Sequence, residues 1–149
     1  MALPLADARA TEALGARFAP LLRAGDVVTL AGPLGAGKTT FARGVLEALG
    51  LAEEAPSPSF AIVIAYAPPE VRLPFWHVDL YRLDGPRDVE ELGLEDALAD
   101  GALLVEWPDR LDAWLRDRAL ALEFAVAADG ARGLTWKAPA SWEGRWPPR

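Results

Sequence analysis

The chain has 149 residues, of which 52% are hydrophobic and 25% charged, and its formal net charge is −7. That length suits one domain spanning residues 1–149, and the absence of cysteine excludes disulfides and cysteine-ligated zinc. The acidic balance argues against unaided nucleic-acid binding. The lack of a signal peptide or an apolar run of about 20 residues predicts a cytoplasmic protein without a membrane segment.

The amino-terminal half shows a helical pattern, a strand pattern and a second helical pattern in turn. Asp7 is expected to cap the first helix, Pro20 to bend or shorten it, and Gly25 to end it. The apolar, β-branched segment that follows is typical of a strand buried on both faces. The predicted elements are a helix at 7–23, a strand at 27–31, a glycine-punctuated loop at 32–37 and a helix at 38–49.

The carboxyl-terminal half continues the α/β alternation and ends in a predicted hairpin that turns at Asp129-Gly130. The tail at 141–149 holds two tryptophans and is expected to be either a packed or a frayed end. The elements are a loop at 52–58, strands at 60–66 and 74–80, one or two short acidic helices at 84–100, a strand at 102–107, a helix near 109–115, and hairpin strands at 119–127 and 133–138. The chain is therefore predicted to be a single α/β domain.

The segment at 32–39 reads Gly-Pro-Leu-Gly-Ala-Gly-Lys-Thr and matches the pattern G-x-x-x-x-G-K-[ST]. Its glycines allow backbone N–H groups to point at phosphate oxygens, and the following helix presents its positive end to the same anion. Lys38 is expected to reach the β- and γ-phosphates, and the Thr39 hydroxyl to bind Mg²⁺. The predicted phosphate contacts of this loop are Gly35, Ala36, Gly37, Lys38, Thr39 and Thr40.

Two acidic residues lie at the ends of predicted strands. Strand alternation puts Phe75, His77 and Asp79 on one face of their strand, and Glu106 ends the next apolar strand. Ligands gather at the carboxyl ends of strands in open α/β sheets, so both acids are expected near the loop, as metal ligand or water-orienting group. The alternative for each acid is a helix cap or a solvated turn residue.

Two aromatic neighbours of these acids have open roles. His77 is the only histidine, and a lone histidine on a mostly apolar strand is more often a hydrogen-bonded core residue than a ligand. Trp107 directly follows Glu106 and either stacks on a ligand or packs in the core.

The sequence also restricts the class of nucleotide-binding protein. It contains no Asn and no Gln, which excludes guanine recognition by an Asn-Lys-x-Asp motif and water orientation by Gln. A P-loop kinase of a small metabolite needs a lid, for which only the segments at 52–58 and 84–100 are candidates. That activity remains an alternative.

Five sequence blocks together resemble one family, the TsaE ATPases of bacterial tRNA threonylcarbamoyladenosine synthesis. Their order, spacing and total length agree over essentially the whole chain. The blocks are GPLGAGKTTF at 32–41, SPSF at 57–60, HVDLYRL at 77–83, EELGL at 90–94 and LVEWP at 104–108.

This resemblance implies a P-loop fold, a mixed sheet flanked by helices with a carboxyl-terminal β-hairpin, that binds ATP or ADP with Mg²⁺. By family analogy Lys38 and Thr39 hold phosphate and metal, Glu106 completes the metal shell, and Asp79 supports catalysis near the γ-phosphate. Ser59 lies in a switch-like loop, where the family usually has Thr. The further candidates for nucleotide contact are Thr11, Trp107 and Arg132.

The resemblance also implies a biological role. Such a protein does not attach the threonylcarbamoyl group itself but hydrolyses ATP to reset a transferase core complex between turnovers. Transferase core proteins would be its partners, and the acidic charge agrees with tRNA being met only indirectly, through them. Arg82 could contact a γ-phosphate or a partner protein, or it could be an ordinary residue at a strand end. A nucleotide-gated binding module without significant turnover is a further alternative.

Overall fold

A seven-stranded mixed sheet forms the centre of this computed structural model, which describes residues 2–148. The strands are β1 (Ala2–Leu5), β2 (Val27–Ala31), β3 (Val63–Tyr66), β4 (Phe75–Asp79), β5 (Ala102–Glu106), β6 (Leu120–Val126) and β7 (Arg132–Lys137). The α-helices in this range are α1 (Ala8–Phe18), α2 (Lys38–Leu49), α3 (Pro86–Glu90) and α4 (Ala113–Arg118). Short 3₁₀ helices occupy Ala19–Leu21, Leu94–Ala99, Pro108–Arg110 and Ala140–Trp142.

The strand order is β1-β7-β6-β2-β5-β4-β3, with β2 at the centre. Strand β2 runs parallel to β5 and β6, and β4 runs parallel to β5. The outer strands β3, β7 and β1 each pair antiparallel with their neighbours. Because β2, β4 and β5 are mutually parallel, their carboxyl ends lie along one edge of the sheet, where ligands bind in open α/β folds.

Each face of the sheet has its own hydrophobic cluster. On one face α1 and α2 pack with Phe18, Phe41 and Phe124 into the larger cluster. On the other face Val105 and Leu115 belong to a second cluster, formed with the α3–α4 region. The central strands β2 and β5 are mostly apolar because both of their faces are covered.

Helices α1 and α2 touch through two glycines. A Cβ at Gly15 would lie 2.4 Å from the carbonyl oxygen of Phe41, and a Cβ at Gly44 would lie 2.2 Å from that of Glu12. No larger residue fits at either position, so the two backbones approach directly. This contact fixes α1 against the helix that follows the glycine loop.

The first helix differs from the prediction at its end. Asp7 caps it as expected, accepting a 2.8 Å hydrogen bond from the backbone N–H of Ala10. The extent of 7–23 is too long, because α1 stops at Phe18 and a 3₁₀ turn with Pro20 near its start follows; the expected shortening at Pro20 is confirmed. Proline cannot supply the N–H that the next α-helical turn would need.

Two other predicted elements also change, and one strand is additional. Strand β3 begins at Val63 instead of residue 60, since the preceding residues form a turn closed by a 2.8 Å bond from the N–H of Ile62 to the carbonyl of Pro58. The helix predicted near 109–115 is divided into a 3₁₀ turn and α4, which Asp112 caps. Strand β1 was not predicted at all.

The carboxyl-terminal hairpin is confirmed. Strands β6 and β7 pair antiparallel, and Gly130 lies in the turn with a φ of 85°. The tail beyond it is packed, not frayed. Its Trp142 and Trp146 rings lie 5.3 and 5.5 Å from the ring of Phe18.

Candidate functional site

The glycine-rich loop connects the carboxyl end of β2 to the first turn of α2. Gly37 has a φ of 116°, in the region that favours glycine, and directly precedes the helix. Gly32 also has a positive φ, and a Cβ there would lie 2.4 Å from the carbonyl oxygen of Phe124. These two positions therefore require glycine, one for conformation and the other for conformation and space.

Lys38 is only 4% exposed and lies inside the loop. Its Nζ donates to the carbonyl of Gly32 and lies 3.4 Å from the centre of the Trp107 ring. Burial lowers the pKa of Lys38, while the charges of Glu106, Asp79 and Asp109 act in the opposite direction. The ammonium group is thus held by one carbonyl and an aromatic face instead of a direct carboxylate contact.

The Thr39 hydroxyl donates a 3.2 Å hydrogen bond to Oε1 of Glu106. Glu106 is the last residue of β5 and is 2% exposed. Its other oxygen, Oε2, lies 2.6 Å from Nε2 of His77, a fully buried residue on β4. The carboxylate is therefore held at both oxygens, by one group from α2 and one from the neighbouring strand.

Asp79 ends β4 directly beside Glu106, its partner in the parallel register. Its Oδ1 accepts a 2.9 Å bond from the N–H of Tyr81, and its Oδ2 lies 3.5 Å from the Ser59 hydroxyl. The Ser57 hydroxyl lies 2.8 Å from that of Ser59. Burial raises the pKa of Asp79, and the bond from Tyr81 partly offsets the rise.

These groups surround a cavity of about 150 Å³ at the carboxyl ends of the parallel strands. Most of the residues predicted from the sequence line it together. They are Gly35, Gly37, Lys38, Thr39, Thr40, Ser59, Asp79, Glu106, Trp107 and Arg132. Both acids thus lie in one site, whereas either could have been a solvated turn residue.

Two predicted contacts lie outside this cavity. Ala36 is buried within the loop, so only its backbone could serve a ligand. Thr11 is 1% exposed, and its Cγ2 lies 3.3 Å from a Cβ built on Gly37. Thr11 therefore packs against the loop at Gly37. Arg82 is also absent from the lining, since its guanidinium group lies 4.3 Å above the ring of Phe60.

The sequence missed several contacts around the site. His77 is the hydrogen-bonded core residue that its apolar strand favours, but the bonding partner is the candidate metal ligand Glu106. The Ser57 hydroxyl, in the same short block as Ser59, bonds to the Ser59 hydroxyl, and no sequence pattern marks this contact. The ring of Tyr81 lies 4.8 Å from that of Trp107 and extends the site toward solvent.

The donor set suits Mg²⁺. Thr39 and Glu106 offer hard oxygen ligands side by side, and Mg²⁺ is usually held by one or two protein groups plus substrate phosphates and water. Among residues 2–148, no group of three or more His, Cys, Asp or Glu side chains is arranged to hold a metal ion. The observed pair therefore fits a metal that arrives with a phosphate ligand.

None of the helices among residues 2–148 combines the length and the apolar character needed to cross a membrane. The mixed sheet, the loop between β2 and α2 and the acids at β4 and β5 define a P-loop protein of the α/β class. The predicted fold class is confirmed.

Comparison with known proteins refines this class. A family model described as "Threonylcarbamoyl adenosine biosynthesis protein TsaE" matches residues 5–134. The tRNA threonylcarbamoyladenosine biosynthesis protein TsaE of Streptomyces coelicolor is 43% identical over 127 residues, covering 82% of this chain and 86% of that protein. The protein of the same name from Bacillus subtilis is 37% identical over 129 residues, covering 86% and 79%.

A solved structure has a similar fold. The crystal structure of Bacillus subtilis YdiB matches with a TM-score of 0.79 and 31% sequence identity, covering 97% of this chain and 89% of that one. The chain belongs to the TsaE family, as its sequence blocks indicated.

Proposed function

We propose that this protein is a Mg²⁺-dependent, ATP-binding protein with weak intrinsic ATPase activity, acting with a transferase core in the threonylcarbamoyladenosine modification of tRNA. Its membership of the TsaE family already connects it with threonylcarbamoyladenosine biosynthesis. The observation that supports the finer proposal is the meeting of Lys38, the Thr39–Glu106 pair and Asp79 at one edge of the sheet. We further propose that residues 1–149 act as one domain.

In this proposal the loop binds the phosphates of ATP or ADP. Backbone N–H groups from residues 35–40 face the phosphate oxygens, as at other helix amino termini. The ammonium of Lys38 leaves the Gly32 carbonyl and the Trp107 face to meet the β- and γ-phosphates. Trp107 and Arg132, which line the cavity, flank the nucleotide.

Thr39 and Glu106 would hold the metal. When bound there, Mg²⁺ would supply positive charge that offsets the negative charge developing on the phosphates during phosphoryl transfer. Both side chains are already adjacent, so little rearrangement of these groups is required.

Asp79 and Ser59 would serve the hydrolytic step. Water attacks the γ-phosphorus while the bond to the β–γ bridging oxygen breaks, giving ADP and phosphate. Asp79 orients this water and accepts its proton, a role that its raised pKa favours. Ser59 connects the Ser57–Phe60 loop to Asp79, so ordering of that loop could tune the step.

A partner would complete the site. The chain has no Gln to orient water, and Arg82 stacks on the ring of Phe60 and is not among the residues that line the cavity. Groups supplied in trans raise the rate of comparable P-loop enzymes by about 10³ to 10⁵. Phe60 is 81% exposed beside the site and offers an apolar contact for the transferase core. The net charge of −7 favours tRNA binding by partners and not by this chain.

A nucleotide-gated binding module is the second candidate. The observation that favours it is the row of contacts from Lys38 through Trp107 to the exposed Tyr81. Nucleotide that draws Lys38 away from Trp107 would alter this surface without any turnover.

The test is multi-turnover tRNA modification in a purified system containing the transferase core, tRNA and ATP. With this protein, modification should continue for many cycles and ATPase activity should rise above that of the protein alone. Without it, or with Asp79→Ala, modification should stop after about one turnover. Continued modification without this chain would refute the resetting role. Normal cycling with Asp79→Ala would favour the binding module, and transfer of γ-phosphate to a small metabolite would indicate a kinase.

A further inference from the structure

His77 touches the candidate metal ligand from a position that no ligand would reach. It lies in the middle of β4, fully buried between Ile64 of β3 and Leu104 of β5. Its Nε2 lies 2.6 Å from Oε2 of Glu106. A carboxylate has no hydrogen to donate, so Nε2 is the donor in this bond.

The two bonds to Glu106 have different origins. Among residues 2–148, its side-chain hydrogen bonds come from Thr39 at Oε1 and from His77 at Oε2. The Thr39 hydroxyl would itself change partners when a metal binds, because it is a candidate ligand. The bond from His77 does not depend on that exchange and keeps the carboxylate plane fixed.

Packing alone does not account for a histidine here. Its Nδ1 is buried with no hydrogen-bond partner in the described structure, which costs free energy that an aliphatic side chain would avoid. The compensation is the bond to Glu106, whose Oε2 would otherwise be buried without a donor. The imidazole is therefore retained for its effect on Glu106.

We propose that His77 is a positioning residue that orients Glu106 toward the metal. This inference rests on the proposed Mg-nucleotide function. Outer groups that hydrogen-bond metal ligands typically change metal affinity about 10- to 100-fold when removed. Loss of the His77 bond should therefore weaken the gain in nucleotide affinity that Mg²⁺ provides, while sparing the affinity for metal-free nucleotide.

The experiment compares His77→Gln with His77→Asn. The glutamine amide nitrogen reaches about as far along the side chain as Nε2 of histidine, whereas the asparagine amide reaches only as far as Nδ1. Both variants are polar and similar in size, so they share any cost of altered packing. Only His77→Gln can still donate to Glu106.

Calorimetry of ADP binding, with Mg²⁺ and with EDTA, gives the readout. In His77→Asn the affinity ratio between the two conditions should fall about 10- to 100-fold. In His77→Gln it should stay within about threefold of the wild-type ratio. The EDTA affinity should be unchanged in both. Ile64→Ala, which removes packing beside His77 without touching Glu106, is the control and should lower stability but not the ratio.

The outcomes separate the two hypotheses. If the wild-type protein gains no nucleotide affinity from Mg²⁺, the proposed function fails. If the wild type shows the gain and His77→Asn keeps it, only the positioning role is wrong. A fall in the Ile64→Ala ratio equal to that in His77→Asn would also overturn that role, by assigning the effect to packing. If His77→Asn does not fold, a wild-type ratio in His77→Gln supports the role and a lost ratio refutes it.

Discussion

Two regions of this protein bury charged side chains, and the regions differ in how completely these charges are paired. At the tail, the guanidinium group of Arg145 meets both oxygens of Asp26 at 2.8 and 3.0 Å and also donates to the carbonyls of Leu21 and Ser141. At the nucleotide site, Lys38 has one carbonyl and an aromatic ring, and the Oδ2 atom of Asp79 has only a 3.5 Å contact.

The difference distinguishes a structural ion pair at the tail from incompletely paired charges at the candidate site. Arg145 and Asp26 satisfy each other, and the tail they anchor covers Phe18 with two tryptophans. At the site, burial lowers the pKa of Lys38 and raises that of Asp79, so both charged forms are disfavoured. Buried charges with incomplete partners are typical of sites that await a charged ligand.

The largest expected effect on binding is at the incompletely paired site. Lys38→Ala should weaken Mg-ATP binding by about 100-fold, equivalent to about 2.8 kcal/mol, because several charge-assisted contacts to phosphate disappear. The fold should remain intact, since no ion pair is broken. Calorimetry measures the affinity, with the same substitution at the exposed Lys137 as control. Unchanged affinity in Lys38→Ala would remove the basis of the nucleotide assignment.

At the tail, we expect a loss of stability without a loss of nucleotide affinity. Arg145→Ala should lower the free energy of unfolding by about 3–5 kcal/mol, because it leaves the Asp26 carboxylate buried and unpaired. The affinity for Mg-ATP should stay within about twofold of wild type at a temperature where the variant is folded. Denaturant unfolding and calorimetry check the two halves of this prediction.

A companion variant tests the cause of that loss. Adding Asp26→Asn to Arg145→Ala should recover part of the lost stability by removing the uncompensated charge. No recovery would mean that Arg145 acts through its stacking on Trp142, 3.9 Å away, and not through the ion pair. A parallel loss of ATP affinity would show that the two regions are not independent.

The sequence could predict the site better than its surroundings. The strand, loop and helix at 27–49 are local patterns, and the positions of Asp79 and Glu106 at the ends of apolar strands were enough to predict that both lie at one edge of the sheet. The four-residue strand β1 depends on pairing with β7, more than 120 residues away, and no local pattern marks it. Local periodicity therefore accounts for the loop and the acids.

Contacts between separate elements could not be predicted from local periodicity. The bond between His77 and Glu106 joins residues 29 positions apart and requires the parallel register of β4 and β5. The approach of α1 to α2 depends on Gly15 and Gly44, which the sequence alone reads as ordinary helix-interior glycines. Both features follow from register and packing, which composition and periodicity do not determine.

The smallest expected effect is a gain in stability at the site. Burial raises the pKa of Asp79, so the folded protein binds this proton more tightly than the unfolded chain does. Its contribution to stability is thus greatest at low pH and is lost as pH rises through the folded pKa. Above the folded pKa the buried carboxylate is charged and costs stability. Asp79→Asn removes the charge and keeps an acceptor for the N–H of Tyr81.

Asp79→Asn should therefore be more stable than wild type without nucleotide, by about 0.5–2 kcal/mol at pH 7. The gain should shrink as pH falls and vanish below the ordinary aspartate pKa of about 3.9, where wild-type Asp79 is protonated in both states. Denaturant unfolding at pH 7 and at low pH measures it. The same substitution at the exposed Asp129 is the control, since its oxygen serves only a surface turn. A loss of stability at pH 7, or a gain independent of pH, would show that the Asp79 charge is compensated after all, as Asp26 is by Arg145.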